Sequence, residues 1–180
     1  MTDNIFLIGF RAVGKSTIGR CLAEELGYQF LDTDEMIVQK MGCSVQQIVS
    51  SQGWDVFRQC EKEMLLLAAQ SESRVVATGG GAILHVQAWA EIRPKAMVVW
   101  LKADLAELTR RLREDQCTAG LRPSLGGGDL FAELADVLSA RTPLYSQTAD
   151  LMVDTSELAV AEIVTHICQA YRQKQIVSEV

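Results

Sequence analysis

The chain has 180 residues, 48% of them hydrophobic, and a formal net charge of -6, enough apolar material to bury roughly 70% of the unfolded surface in one core. An acidic balance with no run of basic residues argues against nucleic acid as a partner, and no apolar run approaches the about 18 residues of a membrane span. The five cysteines, Cys21, Cys43, Cys60, Cys117 and Cys168, are scattered without a CxxC pair, which predicts reduced thiols in a cytoplasmic protein without a secretory leader. His85 and His166 stand apart, so no zinc cluster is expected.

Apolar, β-rich runs at residues 5–8, 29–31, 75–77, 97–101 and 151–153 alternate with longer stretches of helical period. Alternation of this kind predicts an α/β chain, a parallel sheet with helices on both faces. The first run leads into Gly9-Phe10-Arg11-Ala12-Val13-Gly14-Lys15-Ser16, which fits GxxxxGK[ST] between a strand and a helix. Glycines there let backbone N–H groups face phosphate oxygens, and the helix that begins near Lys15 adds its positive end. Lys15 is placed to reach the β and γ phosphates, Ser16 to ligate Mg2+, and Thr17 to add a phosphate contact. Gly27 is a C-terminal stop for that helix.

The second run ends in Asp32-Thr33-Asp34, at the carboxyl edge where open parallel sheets hold their ligands. Strand alternation would aim both carboxylates to one side, one for a metal and one for a substrate hydroxyl; the competing role is capping the helix that follows. Ser44 with Gln47, and Asp104 with Glu107, are both shaped like capping boxes. Arg58 follows Phe57 on a helix-like stretch and, on its own, suits a solvated surface. Gly79, Gly80 and Gly81 follow the third run, suggesting either close backbone approach to a ligand or a flexible turn. Residues 114–128 are polar, glycine-ended and read as a mobile loop carrying Arg122, an arginine suited to transferring charge. Arg141, before Thr142-Pro143, is read as ending a helix, where it could pair with a carboxylate.

In order and spacing, GFRAVGKST, DTD, GW-x-x-FR, TGGG, LRPSL and R-x-PLY resemble the shikimate kinase family over most of the chain. That resemblance implies a three-layer α/β/α fold, a P-loop NTPase of the nucleoside monophosphate kinase type, with a five-stranded parallel sheet in the order 2-3-1-4-5. It implies one kinase domain over 1–180, with an acceptor region at about 33–61 and a lid at about 112–128. The implied reaction moves the γ-phosphate of ATP to the 3-hydroxyl of shikimate, giving shikimate 3-phosphate and ADP on the chorismate route to aromatic amino acids, with one Mg2+ ion.

Carried over by position, the resemblance makes Arg11, Ala12, Val13, Gly14, Lys15, Ser16 and Thr17 the phosphate loop, with Ser16 and Asp32 the metal site. Asp34 would hold the acceptor hydroxyls, Arg58 and Arg141 the carboxylate, and Gly79, Gly80 and Gly81 the pocket wall. Lys15, Asp34 and Arg122 form the implied catalytic set, and an arginine before the lid, Arg110 or else Arg111, lies near adenine. Ala12 stands where the family commonly has glycine, and retained phosphate binding is expected. The expected partners are ATP and shikimate, with no nucleic acid or membrane, for a monomer. The rival readings are a kinase of another small hydroxy acid such as gluconate and an ATP-binding module without catalysis.

Overall fold

A computed structural model describes residues 4–114 and 132–178. Five parallel strands, β1 (Asn4–Ile8), β2 (Gln29–Asp32), β3 (Arg74–Ala77), β4 (Ala96–Lys102) and β5 (Leu151–Asp154), pair in the order β2-β3-β1-β4-β5. Helices α1 (Lys15–Leu26), α2 (Thr33–Met41), α3 (Val45–Ala68), α4 (Val86–Ile92), α5 (Leu105–Glu114), α6 (Ala132–Thr148) and α7 (Val160–Ser178) cover both faces. The fold class is therefore the three-layer α/β/α arrangement with the strand order expected. No helix among the described residues is long and apolar enough to cross a membrane.

Side chains in a strand alternate between faces, and β1 divides the core accordingly. Ile5 and Leu7 pack with Val75, Val99, Ile18 and Leu22 of α1, and Ile163 and Ile167 of α7. Phe6 and Ile8 face the other way, into Val76, Val98, Leu65 of α3, Trp89 of α4 and Tyr145 of α6. Both faces being covered explains why the central strands read as unbroken apolar runs. A third cluster, Ile37, Val45, Ile48, Phe57, Cys60 and Met64, joins α2 to α3 and sets the position of Arg58.

Local signals act as their chemistry requires. Gly27 ends α1 in the left-handed region with φ 68, its N–H reaching the Ala23 and Glu24 carbonyls, while Ser44 and Gln47 form both halves of a capping box on α3. The second box is half built. Asp104 accepts from the Glu107 N–H at 2.7 Å, but its own N–H donates to Ser156 Oγ and the Glu107 carboxylate is taken by arginines.

Two local expectations need correction. Strand β2 stops at Asp32, so alternation does not relate the two carboxylates: Asp32 is the N-cap of α2 and Asp34 lies in its first turn. Thr33 between them is fully buried, which turns the chain inward at the strand end. Arg141 does not end a helix, because α6 runs on through Pro143 to Thr148. Proline removes one i to i-4 hydrogen bond, and buried Leu134 and Tyr145 on either side of it hold α6 to the core.

Candidate active site

Three neighbouring strands bring three motifs to one edge of the sheet. Since β2, β3 and β1 are adjacent, the segments after their carboxyl ends, Asp32 to Asp34, Gly79 to Gly81 and Gly9 to Ser16, lie side by side. The Gly79 N–H donates to Thr33 Oγ1 at 3.0 Å, and a Cβ at Gly80 would lie 3.4 Å from the Arg11 nitrogen.

The phosphate loop holds strain at Ala12, whose φ is 61. A left-handed alanine costs about 1 kcal/mol where glycine costs little, so the substitution narrows backbone freedom while keeping the N–H. Gly14, φ 97, precedes α1, and Gly9 has no room for a Cβ against the Leu101 carbonyl. Lys15 is buried, and its Nζ donates to the carbonyls of Gly9 at 2.9 Å and Phe10 at 2.7 Å, so the ammonium is held at the mouth of the loop. Val13 is buried; Ser16 and Thr17 are exposed on the first turn of α1.

Ser16 Oγ donates to Asp32 Oδ2 at 2.7 Å, while Asp32 Oδ1 accepts from the N–H groups of Asp34 and Glu35. The capping role thus falls on Oδ1, and Oδ2 faces the Ser16 hydroxyl. A hydroxyl and a carboxylate oxygen beside a phosphate loop suit a hard, partly hydrated cation that also takes phosphate oxygens, so the donor set fits Mg2+ accompanying a nucleotide. Among the described residues no three His, Cys, Asp or Glu side chains form a separate metal cluster.

Beside the loop is a cleft with about 500 Å³ of empty space, open to solvent and lined by Arg11, Asp34, Trp54, Arg58, Gly80 and Arg141 among others. Arg58 is 24% exposed, is flanked by the rings of Trp54 and Phe57 at 5.2 and 5.3 Å, and is bonded to Glu61. Aromatic flanks and a carboxylate partner fix a guanidinium that an open surface would leave mobile. Arg141 is 9% exposed and donates through Nη1 to the Gly80 carbonyl at 2.9 Å, where the Tyr145 hydroxyl also donates. Burial pushes the Tyr145 phenol up to about 12, so it stays a donor at neutral pH.

The glycines serve the side chains around them. A Cβ on Gly79 would come within 2.6 Å of Asp34 Oδ1 and 2.8 Å of Glu61 Oε1, and one on Gly81 would overlap the Arg58 guanidinium. Close approach is therefore to the residues that line the cleft.

Not every candidate arrives there. Arg110 lies on the exposed side of α5, bonded to Glu107 and Glu114; hydrogen bonds from Arg110 and Arg111 hold the Glu107 carboxyl at about 2. Arg111 is the one against the loop, donating to the Val13 carbonyl at 3.4 Å and to the Thr155 carbonyl at 2.6 Å. Arg122 and most of the lid expectation lie outside the described residues. Sequence reasoning missed Glu61 and Tyr145, although each follows a chosen arginine at the three- or four-residue spacing that shares a helix face. It also missed Thr33, hidden between two more conspicuous carboxylates.

Comparison with known proteins points to one family. The shikimate kinase family model matches residues 11–172. Shikimate kinase 2 of Yersinia enterocolitica is 43% identical over 169 residues, covering 93% of this chain and 96% of that protein; shikimate kinase of Oleidesulfovibrio alaskensis is 45% identical over 159, covering 88% and 92%. The structure of Acinetobacter baumannii shikimate kinase in complex with shikimate superposes with a TM-score of 0.88 at 32% identity, covering 97% of this chain and 95% of that one. Aquifex aeolicus shikimate kinase gives a TM-score of 0.78 at 28% identity, covering 96% and 98%. With the family model spanning most of the chain and the motif-bearing strand ends meeting around one cleft, the chain belongs to the shikimate kinase family.

Proposed function

We infer that this protein transfers the γ-phosphate of ATP to the 3-hydroxyl of shikimate, releasing ADP and shikimate 3-phosphate. The observation that carries the reading is the pairing of Arg58 and Arg141 on one cleft with Asp34, directly beside the phosphate loop. A small acid bearing hydroxyls meets two guanidiniums with its carboxylate and Asp34 with a hydroxyl. A bare nucleotide-binding module has no need of that combination; gluconate carries the same two groups, and what favours shikimate over it is the similarity to shikimate kinases over most of the chain.

Phosphoryl transfer asks for in-line placement and charge neutralisation. Backbone N–H groups of Arg11 to Thr17 cradle the phosphates, and Lys15 turns from its two carbonyl partners to the β and γ oxygens as they arrive. Asp34 orients the acceptor hydroxyl and is the group placed to receive its proton as the new P–O bond forms and the bond to the bridging oxygen of ADP breaks. Ser16 and Asp32 would hold Mg2+, which supplies charge neutralisation at the phosphates when bound. Arg111, at the Val13 carbonyl, is better placed than Arg110 to edge the nucleotide.

The acidic chain still attracts two anions because Arg11, Lys15, Arg58 and Arg141 cluster at the cleft. One kinase domain over 1–180, an acceptor region at about 33–61 and a lid at about 112–128 go with this reading, as does a cytoplasmic monomer. Replacing Arg58 or Arg141 by alanine is expected to lower kcat/KM for shikimate by about 10² in a coupled ADP-release assay. Unchanged kinetics in both variants would refute the carboxylate clamp.

A further inference from the structure

Glu61 carries two donors on one oxygen. Its side chain is 1% exposed, and Oε2 accepts from Arg58 while lying 3.0 Å from His85 Nε2. A carboxylate offers only acceptor oxygens, so the imidazole nitrogen facing it carries a proton. His85 follows the short turn Ala82–Leu84, its side chain is 12% exposed, and its backbone is fixed separately: the N–H donates to the Ala82 carbonyl and the carbonyl accepts from Trp89.

The other oxygen, Oε1, lies 2.8 Å from where a Cβ on residue 79 would be, so the glycine there leaves room for the carboxylate in this orientation. A terminal carboxylate torsion is broad when one donor holds it. The second donor, His85, narrows that torsion, and the orientation it favours sets where the Arg58 guanidinium points. We propose that His85 is a positioning residue for acceptor binding: it holds Glu61, and Glu61 holds Arg58 toward the carboxylate of the acceptor. The proposal rests on the reading of Arg58 as half of the clamp. His85 belongs to none of the sequence motifs and stands four residues beyond Gly81.

The test is steady-state kinetics of the wild type, His85→Ala, His85→Asn and His85→Gln, varying each substrate, with thermal unfolding of each protein. His85→Ala and His85→Asn, which cannot reach Oε2, are expected to raise KM for shikimate about fivefold, the scale of one weakened charged hydrogen bond, with kcat and KM for ATP within about twofold. His85→Gln, whose amide nitrogen extends to the place of Nε2, is expected to return KM for shikimate to within about twofold of wild type. The proposal is overturned by an unchanged shikimate KM in both short variants, by equal loss toward both substrates, or by a normally melting His85→Gln that fails to restore KM. Wild-type turnover on shikimate separates the two claims: its absence sinks the functional reading itself, whereas its presence leaves only the role of His85 in question.

Discussion

The guanidinium of Arg58 occupies space that exists because residue 81 is glycine. Gly81 has φ -93, a value open to alanine, so Gly81→Ala strains no backbone and acts only by displacing Arg58. It is expected to raise KM for shikimate by about tenfold or more and leave KM for ATP within about twofold, measured by initial rates; equal effects on both would mean general damage. Three glycines in a row after a strand left open either close backbone approach to a ligand or a flexible turn, and the structure shows close approach to side chains of the cleft. What they approach was not legible, because Glu61 and Arg58 lie some twenty residues upstream and meet them only through tertiary packing. For Asp32 the capping role was legible, and the structure has it on Oδ1, while Oδ2 meets the Ser16 hydroxyl.

Helix α3 carries both Arg58 and Glu61, so its start and its bend matter to the site. The bend is at Gly53, φ 87 and ψ 170, a conformation that glycine adopts at little cost. Its start is the Ser44–Gln47 capping box, neither of whose side chains lines the cleft, although Val45 between them does. Ser44→Ala should therefore cost about 1 kcal/mol of stability and lower Tm by roughly 2–4 °C, with kcat/KM unchanged; denaturant unfolding and kinetics together check it. The box was readable because its partners are three residues apart. The continuation of α6 through Pro143 was not, since a proline's local signal is to stop a helix and what opposes it is the burial of Leu134 and Tyr145. The choice between Arg110 and Arg111 was equally hidden: adjacent residues on α5 differ by about 100° around the helix, and only the position of Thr155 after β5 shows which one faces the loop.

Across the whole molecule, the sheet order does most to build the site. The periodicity of the chain gave five strands and alternating helices, but a parallel sheet of five strands admits many orders; the order came from family resemblance, and the structure has it. With β1 central and β3 and β2 beside it, phosphate loop, glycines and carboxylates share one edge, so donor and acceptor sites form from segments some 70 residues apart in sequence. The central claim is that this edge presents a shikimate hydroxyl, held by Asp34, to the γ-phosphate of ATP. Its most direct test is ADP release with Mg2+ and ATP, comparing shikimate, gluconate, a nucleoside monophosphate and no acceptor, for wild type and Asp34→Asn. The account predicts turnover with shikimate alone and a fall of about 10² or more in the variant; turnover on another acceptor in preference to shikimate, or an Asp34→Asn enzyme as fast as wild type, would contradict it.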